Sequence, residues 1–243
     1  MAPEVYELTL SAPSRNALGT TVMQGLLAAL REAGGRPLLL AGAGGAFSAG
    51  LDLKEVASLD RDGMERFLTL LGDVVDALFD YPGPAVACVD GHAIAGGCIL
   101  ALCCDLRVGT DDGALRIGLN EVALGLEFPP KLMALVRYRV PPRALERVVL
   151  EAGLHDPHTA LALGLLYEVA ADARAVARRH VERLGAHPRA VYVATKRALR
   201  AGALAQSAEQ VRYFRETVVP AWCAPVVKER VRATLASRRR PPG

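Results

Sequence analysis

Two stretches dense in glycine and alanine, GAGGAFSAGLDLKE over 42–55 and DGHAIAGGCILALCCD over 90–105, each follow a short apolar run and lead into an apolar helical pattern. At such a strand-to-helix turn the first main-chain N–H groups lack helical partners and point outward, where they can receive negative charge. Small residues let a ligand oxygen come within hydrogen-bond reach of the main chain. Two loops of this kind can form a two-donor oxyanion hole, so the fold must present both.

The surrounding pattern is mixed. Apolar runs at 5–10, 36–41, 85–89, 106–108 and 115–117 predict strands. Val22, Leu26 and Leu30, then Met64, Phe67, Leu68, Leu71, Val74, Val75 and Leu78, recur at helical spacing and predict amphipathic helices packed on a sheet. The front half is therefore α/β. From Lys131 onward strands stop and helices are expected over 142–151, 172–184, 188–200 and 204–218, with Pro142, Pro157 and Pro188 near their starts. A chain of 243 residues that is 51% hydrophobic can bury one full core, and no long linker divides it. The expected organisation is a core over 1–190 and a helical C-terminal region over 191–243 of the same structural unit. The most linker-like segment is EFPPK at 127–131. Tyr167, Tyr192, Tyr213, Phe214 and Trp222 are candidates for packing the late helices on the front half or on another subunit, with an intramolecular core the default for each.

Composition excludes several classes. Lys+Arg 29 against Asp+Glu 26 leaves a net charge of +3, too small and too evenly spread for a nucleic-acid footprint. The one basic cluster, Arg238, Arg239 and Arg240, reads as a solvated tail. The N-terminus lacks a basic segment followed by an apolar one, and no apolar run approaches the roughly 18 residues of a membrane span. A cytoplasmic protein without membrane partners is expected. The five cysteines, Cys88, Cys98, Cys103, Cys104 and Cys223, form no C-x-x-C pair and have no histidine at zinc-ligand spacing, so buried reduced thiols and no metal are expected.

Other motifs fail on the same residues. A dinucleotide fingerprint starting at Gly42 meets Phe47 where its third glycine belongs, and a phosphate loop starting at Gly91 meets Gly97 where its lysine belongs. Ala46-Phe47-Ser48-Ala49-Gly50 is one residue from a nucleophile elbow, but the rest of a serine-hydrolase triad is unspecified. Among carboxylates, Asp52, Glu121 and Glu127 lie in or beside the loop regions. Glu121 is flanked by Ile117, Leu119, Val122, Leu124 and Leu126. Desolvation there raises its pKa and suits it to take a proton from carbon near neutral pH, although capping or bridging a turn is an equally open role. His92 reads as structural or as a pocket wall.

With these residues in view, the sequence resembles the crotonase family, the enoyl-CoA hydratase/isomerase superfamily. The resemblance runs through RNAL (15–18), AFSAGLDLKE (46–55), PAVACVDGHAIAGGCILALCCDLRV (84–108), IGLNEVALGL (117–126) and ALALGLLYEV (160–169). It implies a repeated β-β-α superhelix, a helical C-terminal trimerisation region, an acyl-CoA thioester as ligand with no separate cofactor, and a homotrimer or dimer of trimers. By position it implies oxyanion donors at the N–H of Leu51 and Gly96, in the turn that includes Gly97. It implies CoA contacts at Ala49, Leu51 and Leu53 and at Arg15 and Ala17, with Asp52, Gly97, Ile99 and Leu124 beside the substrate. Hydratases of the family carry a glutamate where this chain has Ile99, working with a second one matched by Glu121. Ile99 cannot hold water or move a proton. One carboxylate facing the hole resembles the Δ3,Δ2-enoyl-CoA isomerases, which implies transfer of a C2 proton to C4 by Glu121. Open alternatives are a hydratase working with Glu121 alone or with Glu127, another reaction of the family, and a non-catalytic acyl-CoA-binding protein.

Overall fold

The computed structural model describes residues 4–237, so the arginines at 238–240 lie outside the described residues. The strands are β1 Tyr6–Leu10, β2 Leu38–Gly42, β3 Ala46–Ser48, β4 Ala85–Val89, β5 His92–Ile94, β6 Leu106–Thr110, β7 Ile117–Gly118 and β8 Glu168–Ala170. They form a five-stranded sheet in the order β1-β2-β4-β6-β8 and a three-stranded sheet in the order β3-β5-β7. Every pairing between these strands is parallel. Parallel neighbours need crossover connections, and helices Thr20–Ala33, Arg61–Phe79 and Gly96–Cys103 supply them. The chain thus has the expected α/β architecture.

The larger sheet is covered on both faces. Leu38, Leu40, Ala85, Ala87 and Val89 enter the main core, whereas Leu39, Ala41, Val86, Cys88 and Val108 pack against Val176, Ala177 and Val181 of helix Ala173–Gly185. Burial on both faces is why these strands read as continuous apolar runs rather than alternating ones. Helix Arg61–Phe79 turns Met64, Phe67, Leu68, Leu71, Val74, Val75 and Leu78 inward as its spacing predicts, and the Asp60 side chain accepts from Gly63 N at its start.

Four expectations need correction. Strands do not stop at Lys131, because β8 adds an edge to the sheet; it is three half-buried residues long, too short to show periodicity. The predicted 115–117 strand reduces to Ile117–Gly118, since Ala114 N and Leu115 N close a turn on Asp112. The helix predicted over 204–218 begins at Ala208, where Ser207 and Gln210 form a capping box, and widens into a π-helical turn over Phe214–Val218. The 142–151 segment is a 3-10 turn, Pro142–Ala144, followed by helix Leu145–Leu150.

Helix Arg189–Arg200 docks on the core through one half-buried acid. Asp105 receives Lys196 Nζ at 3.0 Å, Tyr192 OH at 2.9 Å, Ala85 N at 2.8 Å and the Arg200 guanidinium. Burial pulls the Lys196 pKa down to about 8 despite Asp105. The five cysteines are free, four of them buried, and burial pushes the Cys88 thiol up to about 12. No helix among the described residues is long and apolar enough to cross a membrane.

Candidate active site

The smaller sheet sets the site. β3, β5 and β7 run parallel, with Ala46 beside His92 and Ala93 beside Ile117. Each ends in a loop that carries chemistry: Ala49–Leu51 after β3, Ala95–Gly96 after β5, Asn120–Glu121 after β7. Carboxyl ends of parallel strands are the usual place for ligand binding in such sheets.

Local hydrogen bonding singles out one amide in the first loop. Ala49 N donates to Arg15 O at 2.9 Å, Gly50 N to Ser48 Oγ at 3.3 Å, and Asp52 N to Leu18 O at 3.1 Å. Leu51 N, between them, donates to no protein group among the described residues. The turn requires glycine at 50, where φ is +87° and a Cβ would stand 2.7 Å from Ile94 O. In the second loop Ala95 takes φ 50°, with its N–H held by Gly118 O at 2.8 Å, and Gly96 opens helix Gly96–Cys103. The Gly96 N–H, in a first helical turn, likewise has no protein acceptor among the described residues. A Cβ on Gly96 would lie 3.5 Å from Leu51 N, so the two donors are immediate neighbours.

Glu121 lines the same cavity as the two donors. Of the predicted residues, Ala49, Leu51, Leu53, Gly96, Glu121 and Leu124 line it together. Glu121 is 6% exposed, its Oε2 has no partner, and burial raises its pKa from 4.5 to about 7, opposed only by its own main-chain N–H. Among the described residues it is the only acid on the cavity wall.

Five predicted residues lie off that wall. Asp52 caps a helix: its carboxylate accepts Lys54 N at 2.9 Å and Glu55 N at 3.4 Å. Gly97 packs against the Ser48 carbonyl, so its lack of a side chain serves that contact. Ile99 is fully buried in the core, does not line the cavity, and brings no polar group near Glu121. Ala17 is buried beneath the first loop, while Arg15 is exposed with only its carbonyl tied to that loop.

Two rival roles disappear. Ser48 is fully buried and its hydroxyl donates to Asn16 O at 2.7 Å, so it cannot serve as a nucleophile. Glu127 bonds Tyr213 OH through its side chain and stands outside the cavity, which removes it as a second carboxylate. His92 is structural, accepting Arg116 N at 3.0 Å. Sequence reasoning missed Asn120, whose Oδ1 is buried without a partner, together with Leu71, Phe128 and the cavity-lining role of Trp222. Trp222 arrives from the C-terminal helices, held by its Nε1 on Glu127 O at 2.8 Å.

The profile of the family described as Enoyl-CoA hydratase/isomerase matches residues 2–228. The chain belongs to the enoyl-CoA hydratase/isomerase family. A relative named "Probable enoyl-CoA hydratase EchA17" from Mycobacterium bovis is 32% identical over 168 residues, covering 68% of this chain and 64% of its own length. The chain thus spans about two thirds of the curated relatives it matches. The human mitochondrial delta3-delta2-enoyl-CoA isomerase superposes with a TM-score of 0.90 at 23% identity, covering 97% of this chain and 94% of that one, a likeness of fold. An enoyl-CoA hydratase/isomerase family protein from Pseudomonas syringae gives a TM-score of 0.82 at 28% identity, covering 88% and 94%. Hydratase and isomerase names both occur among these relatives of the family member described here, so the reaction has to be argued from its own site.

Proposed function

We propose that this enoyl-CoA hydratase/isomerase family member is an enoyl-CoA isomerase that converts a 3-enoyl-CoA into the conjugated 2-enoyl-CoA. The observation that carries the reading is the lone acid: Glu121, desolvated and with its Oε2 unpartnered, lines one cavity with the unengaged amides of Leu51 and Gly96, with no second carboxylate on the wall among the described residues. With the thioester oxygen on the two amides, Glu121 takes a proton from C2, and the C2–H electron pair moves into a dienolate whose negative charge rests on that oxygen. The same carboxylic acid then returns the proton to C4 as the double bond moves to C2–C3. One base suffices because C2 and C4 lie on one face of a planar intermediate. Hydration would need a second group to hold and activate water, and Ile99 provides none.

The test is to give the purified protein a 3-enoyl-CoA and follow the conjugated thioester by ultraviolet absorbance, with crotonyl-CoA hydration measured in parallel. Isomerisation well above hydration is expected. Hydration at a matching rate would favour the single-glutamate hydratase suggested by the relatives' names. CoA binding with neither reaction would favour a non-catalytic binder. Assembly as a homotrimer or dimer of trimers belongs to the same proposal, with sedimentation as its check.

Acyl-chain length has a structural expectation. Leu126 and Phe128 line the cavity and also a second, more open groove that reaches Met133 and Tyr138. They form a wall between the two spaces. Phe128→Ala is expected to shift the ratio of kcat/KM for long over short 3-enoyl-CoA upward by roughly tenfold, the scale of one or two methylenes in an apolar pocket. An unchanged chain-length profile would show that the tail does not run toward Phe128.

A further inference from the structure

The Leu51 amide is placed by a hydrogen-bonded relay from a strained turn, 12–16, that lies apart from the cavity wall. Ser14, Arg15 and Asn16 take φ of 57°, 60° and 58°, three consecutive non-glycine residues in the left-handed region. Each such residue costs of order 1 kcal/mol, so the surrounding contacts must hold the turn in place. The 2%-exposed Asn16 side chain does so. Its Oδ1 accepts Ala12 N at 2.9 Å, closing the turn on itself, while its Nδ2 donates to Ala43 O at 2.9 Å and Ala46 O at 2.7 Å on the glycine-rich loop.

The left-handed turn also presents main-chain carbonyls to that loop. Arg15 O receives Ala49 N at 2.9 Å, and Asn16 O receives the Ser48 hydroxyl at 2.7 Å. Because its proton is engaged there, Ser48 Oγ offers a lone pair to Gly50 N at 3.3 Å. Gly50 is the residue whose φ of +87° sets the direction of the next peptide, and Gly50 O in turn receives Leu18 N at 2.8 Å. The two amides before Leu51, those of Ala49 and Gly50, are therefore engaged by this apparatus and Asp52 N after it by Leu18 O, leaving Leu51 N directed elsewhere. A preorganised donor stabilises a developing oxyanion because no reorganisation is needed during reaction.

We infer that Asn16 and Ser48 are positioning residues for the oxyanion hole: the Asn16 carboxamide locks the 12–16 turn to the 43–47 loop, and the Ser48 hydroxyl passes that constraint to Gly50 and so to the Leu51 N–H. The inference rests on the oxyanion-hole reading of Leu51 and Gly96, but not on which enoyl-CoA reaction follows. Neither side chain lines the cavity. Their loss should therefore weaken polarisation of the thioester far more than it weakens acyl-CoA binding.

The variants are Ser48→Ala and Asn16→Gly, the second chosen because glycine keeps access to a φ of 58° while removing the carboxamide. The measurement is the infrared carbonyl stretch of a carbon-13-labelled saturated acyl-CoA, butanoyl-CoA, bound to each folded protein, with its Kd and the steady-state constants alongside. In the parent protein the bound carbonyl is expected to shift to lower frequency. In both variants the shift is expected to shrink, kcat to fall by roughly 10- to 100-fold, and the butanoyl-CoA Kd to hold within about twofold, since a small misplacement of a preorganised group acts on the transition state more than on binding. Ser48→Cys, which keeps a weak acceptor at Gly50 N, should recover part of the shift that Ser48→Ala loses. A full shift and parental kcat in either variant would overturn the inference. No shift in the parent protein would instead overturn the oxyanion-hole reading beneath it.

Discussion

Glu121→Gln is expected to lower kcat for isomerisation by about 10²- to 10⁴-fold while leaving acyl-CoA binding nearly unchanged, the range general acid–base groups supply. Glutamine preserves the shape but can neither take the C2 proton nor return it. Glu121 of the free enzyme must be ionised to start the reaction, and burial places its pKa at about 7. The pH profile of kcat/KM should therefore fall on the acid side with an apparent pKa near that value, well above an ordinary carboxylate. Stability should move the opposite way. The folded state holds the Glu121 proton more tightly than the unfolded chain does. The associated stabilisation is complete below about 4.5 and is lost as pH rises through about 7. Above that pH, Glu121→Gln should be more stable than the parent by up to roughly 3 kcal/mol, because each tenfold difference in proton affinity between the folded and unfolded chain is worth about 1.4 kcal/mol. Thermal unfolding of both proteins at pH 5 and pH 8 checks this. A stability difference between variant and parent that is no larger at pH 8 than at pH 5 would show that Glu121 is not held against its own charge.

The largest structural effect should come from Asp105→Ala. Lys196 and Arg200 are 8% and 5% exposed, and Asp105 is the carboxylate paired with both. Removing one partner of a buried ion pair leaves uncompensated charge and costs about 3–5 kcal/mol. Here two cations are stranded, and Ala85 N and Tyr192 OH also lose their acceptor. For a chain of this size a drop in Tm on the order of 10 °C follows. The folded state already holds the Lys196 proton less tightly than the unfolded chain, and without Asp105 its pKa falls further below about 8. Part of the loss should therefore be recovered as pH is raised toward the unfolded-state lysine value, where the unfolded chain also gives up that proton. A Tm within a degree or two of the parent across that range would show that helix Arg189–Arg200 is held by other contacts.

What the sequence made legible follows from where water is excluded. AVACV at 85–89 matches β4 residue for residue, because a strand buried on both faces is apolar throughout and bounded by proline and aspartate. β3 and β5 were hidden inside the glycine-rich segments. They are three residues long, and Ala46, Phe47 and Ala93 read equally well as part of a loop. The role of those segments was nonetheless visible, because glycine at 50 answers a demand of the main chain itself. Glu121 was visible by contrast, as one acid among leucines and valines.

Ile99 shows a limit of positional reasoning. Helix Gly96–Cys103 is buried on all sides, so an apolar residue at 99 says that no acid is there but not that the side chain reaches the cavity. Asp52, an acid at the edge of the glycine loop, fits a helix cap as well as a ligand contact, and only its bonds to Lys54 N and Glu55 N decide. Asn16 with Ser48, and Trp222 with Glu127, were illegible for another reason. Each pair joins segments distant along the chain through main-chain groups, which leave no pattern of residue types.

The claim that one acid moves one proton between two carbons is tested most directly by isotope tracing. A 3-enoyl-CoA carrying deuterium at C2 is converted in ordinary water, and the hydrogen at C4 of the 2-enoyl product is read by mass spectrometry. Shuttling by a single buried Glu121 predicts deuterium at C4 above the level that solvent exchange alone would leave. A C4 hydrogen drawn wholly from water, with turnover intact in Glu121→Gln, would contradict it.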